Sequence, residues 1–140
     1  MIKVTLDTNI LISGTFWNGD SFKIMNLIDN KKIESILSKE IIKEYIMVME
    51  SDEIAEKVEH KDLVVSKVIQ KVMTNSKIVD PKRKIHLVID DPDDDKFIET
   101  AVEGRVDYII SNDKHLLKIK EFEGIKIVKA DEFLNIFEQI

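Results

Sequence analysis

Short apolar runs alternate with longer stretches of helical periodicity along this chain, and that alternation limits the folds open to it. Ile2-Lys3-Val4-Thr5-Leu6 alternates apolar and polar side chains, the period of a half-buried strand. The stretch from Thr8 to Ser13 stays apolar and then meets Gly14, Asn18 and Gly19, which read as a loop. Ser21–Ile28 carries Phe22, Met25 and Ile28 at helical spacing, with Asp20 as the expected N-cap. Lys32–Leu37 has strand character. Ser38 then opens a helix whose stripe is Ile41, Ile42, Tyr45, Ile46, Val48 and Met49. Two more helices are expected over Asp52–Val58 and Asp62–Met73, the second with Leu63, Val64, Val68, Ile69 and Val72 inward. Lys77–Val79 is an expected strand stopped by Pro81, and Ile85–Ile89 fits either element. The acidic loop Asp90–Asp94 leads into a helix with Phe97, Ile98, Ala101 and Val102 inward and Gly104 as its stop. Tyr108–Ile110 and Lys126–Val128 read as strands, His115–Ile119 as a short helix and Ala130–Phe137 as the closing helix.

Strands separated by helices in this order predict an α/β fold: a three-layer α/β/α sandwich with a central, mainly parallel sheet. At 140 residues the chain is most simply one domain spanning 1–140. In such sheets ligands gather beyond the carboxyl ends of the strands. Asp7 and Asp113 lie at those ends of expected strands.

Composition narrows the chemistry. Cysteine is absent, which excludes disulfides and thiolate metal sites and suits a cytoplasmic setting. No apolar stretch is long enough to span a bilayer, and the N-terminus lacks a signal-peptide pattern, so no membrane association is expected. The net charge of −6 argues against a broad nucleic-acid surface, although a cluster of uncompensated carboxylates lowers the charge by itself.

Four acids stand out: Asp7, Glu44, Asp95 and Asp113. Carboxylates gathered without a basic partner repel one another, and a divalent cation with oxygen ligands relieves that repulsion. Each has a plainer reading. Asp7 and Asp113 are natural helix N-caps, Glu44 an ordinary helix-surface charge, and Asp95 one more acid at a helix start. The run Asp90–Asp95 lacks the glycine and distal glutamate of a calcium loop. His60, His86 and His115 stand at no metal-ligand spacing, although His115 is close to Asp113. Trp17 either stacks on a base or caps the core. Lys82, Arg83 and Lys84, and Lys114, Lys118 and Lys120, flank the acidic segments as candidate phosphate contacts.

Val4-Thr5-Leu6-Asp7-Thr8-Asn9-Ile10-Leu11-Ile12-Ser13, Leu37-Ser38-Lys39-Glu40-Ile41-Ile42-Lys43-Glu44-Tyr45, Asp91-Pro92-Asp93-Asp94-Asp95-Lys96-Phe97-Ile98 and Tyr108-Ile109-Ile110-Ser111-Asn112-Asp113-Lys114-His115 together resemble the four motifs of PIN-domain nucleases. Within that group the chain is similar to the VapC-like toxins of toxin–antitoxin pairs. Ser111 stands where the family often has threonine. Several aspartates compete for the third motif. Asp95 is preferred over Asp94 because it stands 18 residues before Asp113 and precedes Phe97-Ile98.

The resemblance implies a PIN-like, Rossmann-like sheet and a Mg²⁺- or Mn²⁺-dependent endoribonuclease that hydrolyses RNA. Asp7, Glu44, Asp95 and Asp113 would be its catalytic, metal-binding acids, with Asn9 and Ser111 orienting them by hydrogen bonds. It further implies an antitoxin partner, and the middle helices offer a homodimer surface. A housekeeping RNA-processing nuclease and a partner-regulated binding module are the alternatives.

Overall fold

The computed structural model describes residues 1–17, 19–61 and 64–140. Among these, the strands are β1 (Lys3–Leu6), β2 (Glu34–Ser38), β3 (Ser76–Val79), β4 (Tyr108–Ile110), β5 (Glu121–Phe122) and β6 (Ile125–Val128). They form one sheet in the order β3-β2-β1-β4-β6-β5. Every neighbouring pair is parallel except β5–β6. The helices are α1 (Thr8–Phe16), α2 (Asp20–Asp29), α3 (Lys39–Met49), α4 (Asp52–Lys61), α5 (Val65–Thr74), α6 (Asp95–Gly104), α7 (Lys114–Leu117) and α8 (Ala130–Glu138). The three-layer α/β arrangement expected from the alternation is therefore the one found. No described helix is long and apolar enough to cross a membrane.

The inner strands are apolar because both faces are covered: Val4, Leu6, Ile36, Leu37, Ile109 and Ile110 are all buried. Register places Leu6 beside Ile110, so β1 and β4 end level with each other. Strand order reverses between these two strands, and the crevice at their carboxyl ends is where an open α/β sheet binds its ligands.

Four departures from expectation are each confined to one segment. Thr8–Phe16 is a helix rather than the start of a loop. Its side chains are buried nearly all round (Ile10, Leu11, Ile12, Phe16), so it carries no polar face to reveal the helical period. Gly14 belongs to that helix because a Cβ there would lie 2.4 Å from Met25 Cγ and 2.9 Å from the Ser21 carbonyl oxygen of α2. Asp20 is the first helical residue of α2, with Gly19 in the cap position, so its side chain caps nothing. Ile85–Ile89 forms no regular element, yet Ile85 and Val88 are buried. The expected helix beginning at Asp62 runs from Val65 in the structure, and Asp62 and Leu63 themselves lie outside the described residues.

Gly104 ends α6 as expected, but the left-handed residue is Arg105 (φ 53°). The glycine is needed for close approach instead: a Cβ would sit 2.4 Å from Ile36 Cγ2 and 3.2 Å from Ile36 Cβ. Ile36 is β-branched and fully buried, so it has little freedom to turn away. Gly104→Ala is expected to cost about 1–3 kcal/mol through overpacking, read as a lower denaturation midpoint. An unchanged midpoint would mean that Ile36 can repack.

Candidate metal centre

Asp7 is delivered by the end of β1. Its backbone N–H still donates to the Ile110 carbonyl (3.1 Å), and its side chain then caps α1. One carboxylate oxygen accepts from the Ile10 N–H at 2.9 Å, and the other accepts from the Ser111 hydroxyl. Burial pushes the Asp7 pKa up to about 6, against these two hydrogen bonds, and the negative charges of Asp113 and Glu44 add to the rise.

Ser111 sits at the end of β4 and is fully buried. Its hydroxyl proton goes to Asp7, and its oxygen accepts from the Asp113 N–H at 2.9 Å. One serine thus ties the two strand-end acids together. Asp113 caps the short α7 through the His115 N–H at 2.8 Å, while its carboxylate also faces the acidic turn.

That turn is a single 3₁₀ turn, Pro92–Asp94, entering α6. Asp91, Asp94 and Asp113 each present an oxygen within 4.8 Å of the others. Asp94 is only 9 % exposed. Its pKa is raised to about 7 by burial, by Asp91 and by Asp113, with Lys96 opposing.

Asp95, the next residue, does different work. Its Oδ1 accepts from the Leu87 N–H (3.0 Å) and the Val88 N–H (2.8 Å). Glu99, one turn further along the same face of α6, accepts from the Ile85 N–H at 3.0 Å. These two carboxylates hold the irregular segment that precedes the acidic turn. Glu44 projects from α3 and pairs with Lys96, whose Nζ also bonds Asp93 at 2.7 Å. Burial works against the Lys96 charge, but its bonds to Asp93 and Glu44 hold its pKa above the ordinary lysine value.

A family model described as the PIN domain matches residues 3–115. This chain belongs to the PIN domain family. No curated protein matches it. PIN domains are generally nucleases that use divalent metals, which implies a nucleic-acid substrate.

The PIN domain's donor set suits such a metal. Asp91, Asp94 and Asp113 offer hard oxygen ligands from separate residues, and none of the three is in an ion pair among the described residues. Of the residues expected from sequence, Asp7, Ser111 and Asp113 are brought together around the ends of β1 and β4. Asp95 is directed to backbone amides, and Glu44 to Lys96. Asn9 is exposed on α1, and the hydrogen bonds that hold Asp7 come from other residues. Asp91, Asp94 and Lys96 were not singled out by sequence, beyond Asp94's standing as the rival of Asp95.

Several candidate phosphate contacts are engaged elsewhere on the PIN domain: Lys82 with Asp80, Arg83 with Glu123, and Lys118 with Asp90. His115 Nδ1 also faces Asp90, at 3.6 Å. Trp17 is half-exposed, edge-on to Phe16, with Lys57 Nζ 4.3 Å above its ring.

Proposed function

We propose that this PIN domain is a Mg²⁺- or Mn²⁺-dependent endoribonuclease serving as the toxin of a toxin–antitoxin pair, with Asp7, Asp94 and Asp113 as its principal acids. The observation that carries the reading is the meeting of Asp91, Asp94 and Asp113 beside the buried Asp7, at the point where the strand order reverses. A divalent cation held by these acids would supply a water of lowered pKa and would neutralise charge at the scissile phosphate.

The chain's own residues set the geometry. Ser111 and the Ile10 N–H fix both oxygens of Asp7 while leaving each a lone pair. Asp95 and Glu99 anchor the segment before the acidic turn, so Asp91 and Asp94 keep their places. Lys84, Lys114 and Lys120 are exposed and have no ion pair among the described residues, which leaves them for phosphate contact. Cleavage or binding through these lysines would weaken as salt rises.

RNA as substrate, an antitoxin partner and a cytoplasmic setting follow from the resemblance of the four motifs to VapC-like toxins. We take 1–140 as one PIN unit because β6 and β5, beyond the matched residues, extend the same sheet and α8 packs against α2.

The test is cleavage of a mixed single-stranded RNA and a matched DNA in Mg²⁺, Mn²⁺ or EDTA, with Asp7→Asn in parallel. RNA cleavage that needs the metal and is lost in Asp7→Asn is the expected result. Wild-type rates from Asp7→Asn in Mn²⁺ would remove Asp7 from the site, and cleavage of DNA alone would replace the substrate.

A further inference from the structure

Lys96 places an ammonium inside an acidic site while remaining only 7 % exposed. Burying a charge is costly unless it is paired, and Lys96 is paired twice: with Glu44 of α3 and with Asp93 of the acidic turn. The two carboxylates come from segments far apart in sequence, and they face each other across one nitrogen. That is the geometry a divalent cation would otherwise bridge.

The pairing is also rigidly built. Thr100 of α6 has its hydroxyl 2.7 Å from the Lys96 carbonyl oxygen and 2.8 Å from the Ser38 hydroxyl. Ser38 in turn caps α3, the helix that carries Glu44. The backbones bearing the two partners are thus joined through Thr100, one turn from Lys96, and Ser38, the cap of the helix that carries Glu44. The ammonium also lies 5.3 Å from the centre of the Phe97 ring.

We propose that Lys96 is a built-in cation that holds the place of a second divalent ion between Glu44 and Asp93, so that the domain binds one metal ion, among Asp7, Asp91, Asp94 and Asp113, rather than two. This rests on the metal-dependent reading above. Glu44 then serves the lysine and not the ion. Lys96 is a positioning residue: it fixes the α3 side of the site and neutralises it without taking up a metal.

The experiment is Mn²⁺ titration of the full, metal-free chain, followed by calorimetry and by the free-Mn²⁺ resonance signal. The wild type is expected to bind one ion. Lys96→Met is expected to bind two, or to gain at least tenfold in affinity for a second, and adding Glu44→Gln to it should return the count to one. Two ions on the wild type, or a count unchanged in Lys96→Met, would overturn the proposal while leaving the nuclease reading intact. No ion on the wild type would overturn both. If Lys96→Met does not fold, Glu44→Gln alone decides. Affinity for the single ion within about twofold of wild type supports the proposal, whereas a tenfold or greater loss would put Glu44 on the ion and overturn it.

Discussion

Asp94→Asn is expected to lower metal-dependent cleavage roughly a thousandfold, about 4 kcal/mol of transition-state stabilisation, and at the same time to make the metal-free protein more stable at pH 8. The two effects share one cause. Asp94 is almost buried and lies against Asp91 and Asp113, so its ionised form is disfavoured and its pKa stands at about 7 instead of 3.8. The folded protein therefore holds this proton more tightly than the unfolded chain does. The resulting stabilisation is complete below pH 3.8 and is lost as pH rises through about 7. At pH 8 the full penalty remains, of order 1–4 kcal/mol, and asparagine removes it. Asp7, with a pKa of about 6, adds a penalty of the same sign over a lower window. A bound divalent ion would reverse the balance by stabilising the ionised site in proportion to its saturation. Thermal melts at pH 4.5 and 8, in EDTA and in Mn²⁺, check this. The wild type should gain most from Mn²⁺ at pH 8, and Asp94→Asn should gain little. A lower melting temperature for metal-free Asp94→Asn at pH 8 would instead make Asp94 a structural acid.

The frame of the site was legible because strand ends are legible. Asp7 and Asp113 follow the apolar runs Val4–Leu6 and Tyr108–Ile110, and parallel pairing of β1 with β4 brings them to one crevice. Four aspartates among Asp91, Asp93, Asp94 and Asp95 were harder to separate, since a 3₁₀ turn entering a helix rotates each successive side chain to a new direction. Spacing in sequence does not encode that rotation. Asp94 turns toward Asp113, and Asp95 turns back onto Leu87 and Val88. Lys96 was hidden for another reason: a lysine after an acidic run reads as a solvated charge, and only the folded position of α3 gives it Glu44. The helix α1 was hidden by its own burial, which erased the polar face that periodicity needs.

Asp95→Ala is expected to destabilise the protein by about 2–5 kcal/mol, the largest stability loss among these acids, because it leaves two buried or half-buried amides without an acceptor. Leu87 and Val88 both donate to the same Asp95 oxygen, and Val88 is only 2 % exposed. Asp95→Asn keeps an oxygen where those amides point. It gives up only the charge, with its charge-assisted hydrogen bonds and its favourable place in the first turn of α6, so a loss near 1 kcal/mol is expected. The same reasoning separates the neighbours functionally. Asp95→Asn should retain Mn²⁺ affinity and cleavage within a fewfold, whereas Asp94→Asn should retain neither. Hydrogen exchange offers a local check, since protection of the Leu87 and Val88 amides should fall in Asp95→Ala and persist in Asp95→Asn. Loss of Mn²⁺ binding in a well-folded Asp95→Asn would exchange the two roles: Asp95 would be the ligand, and the amide contacts would be secondary to it.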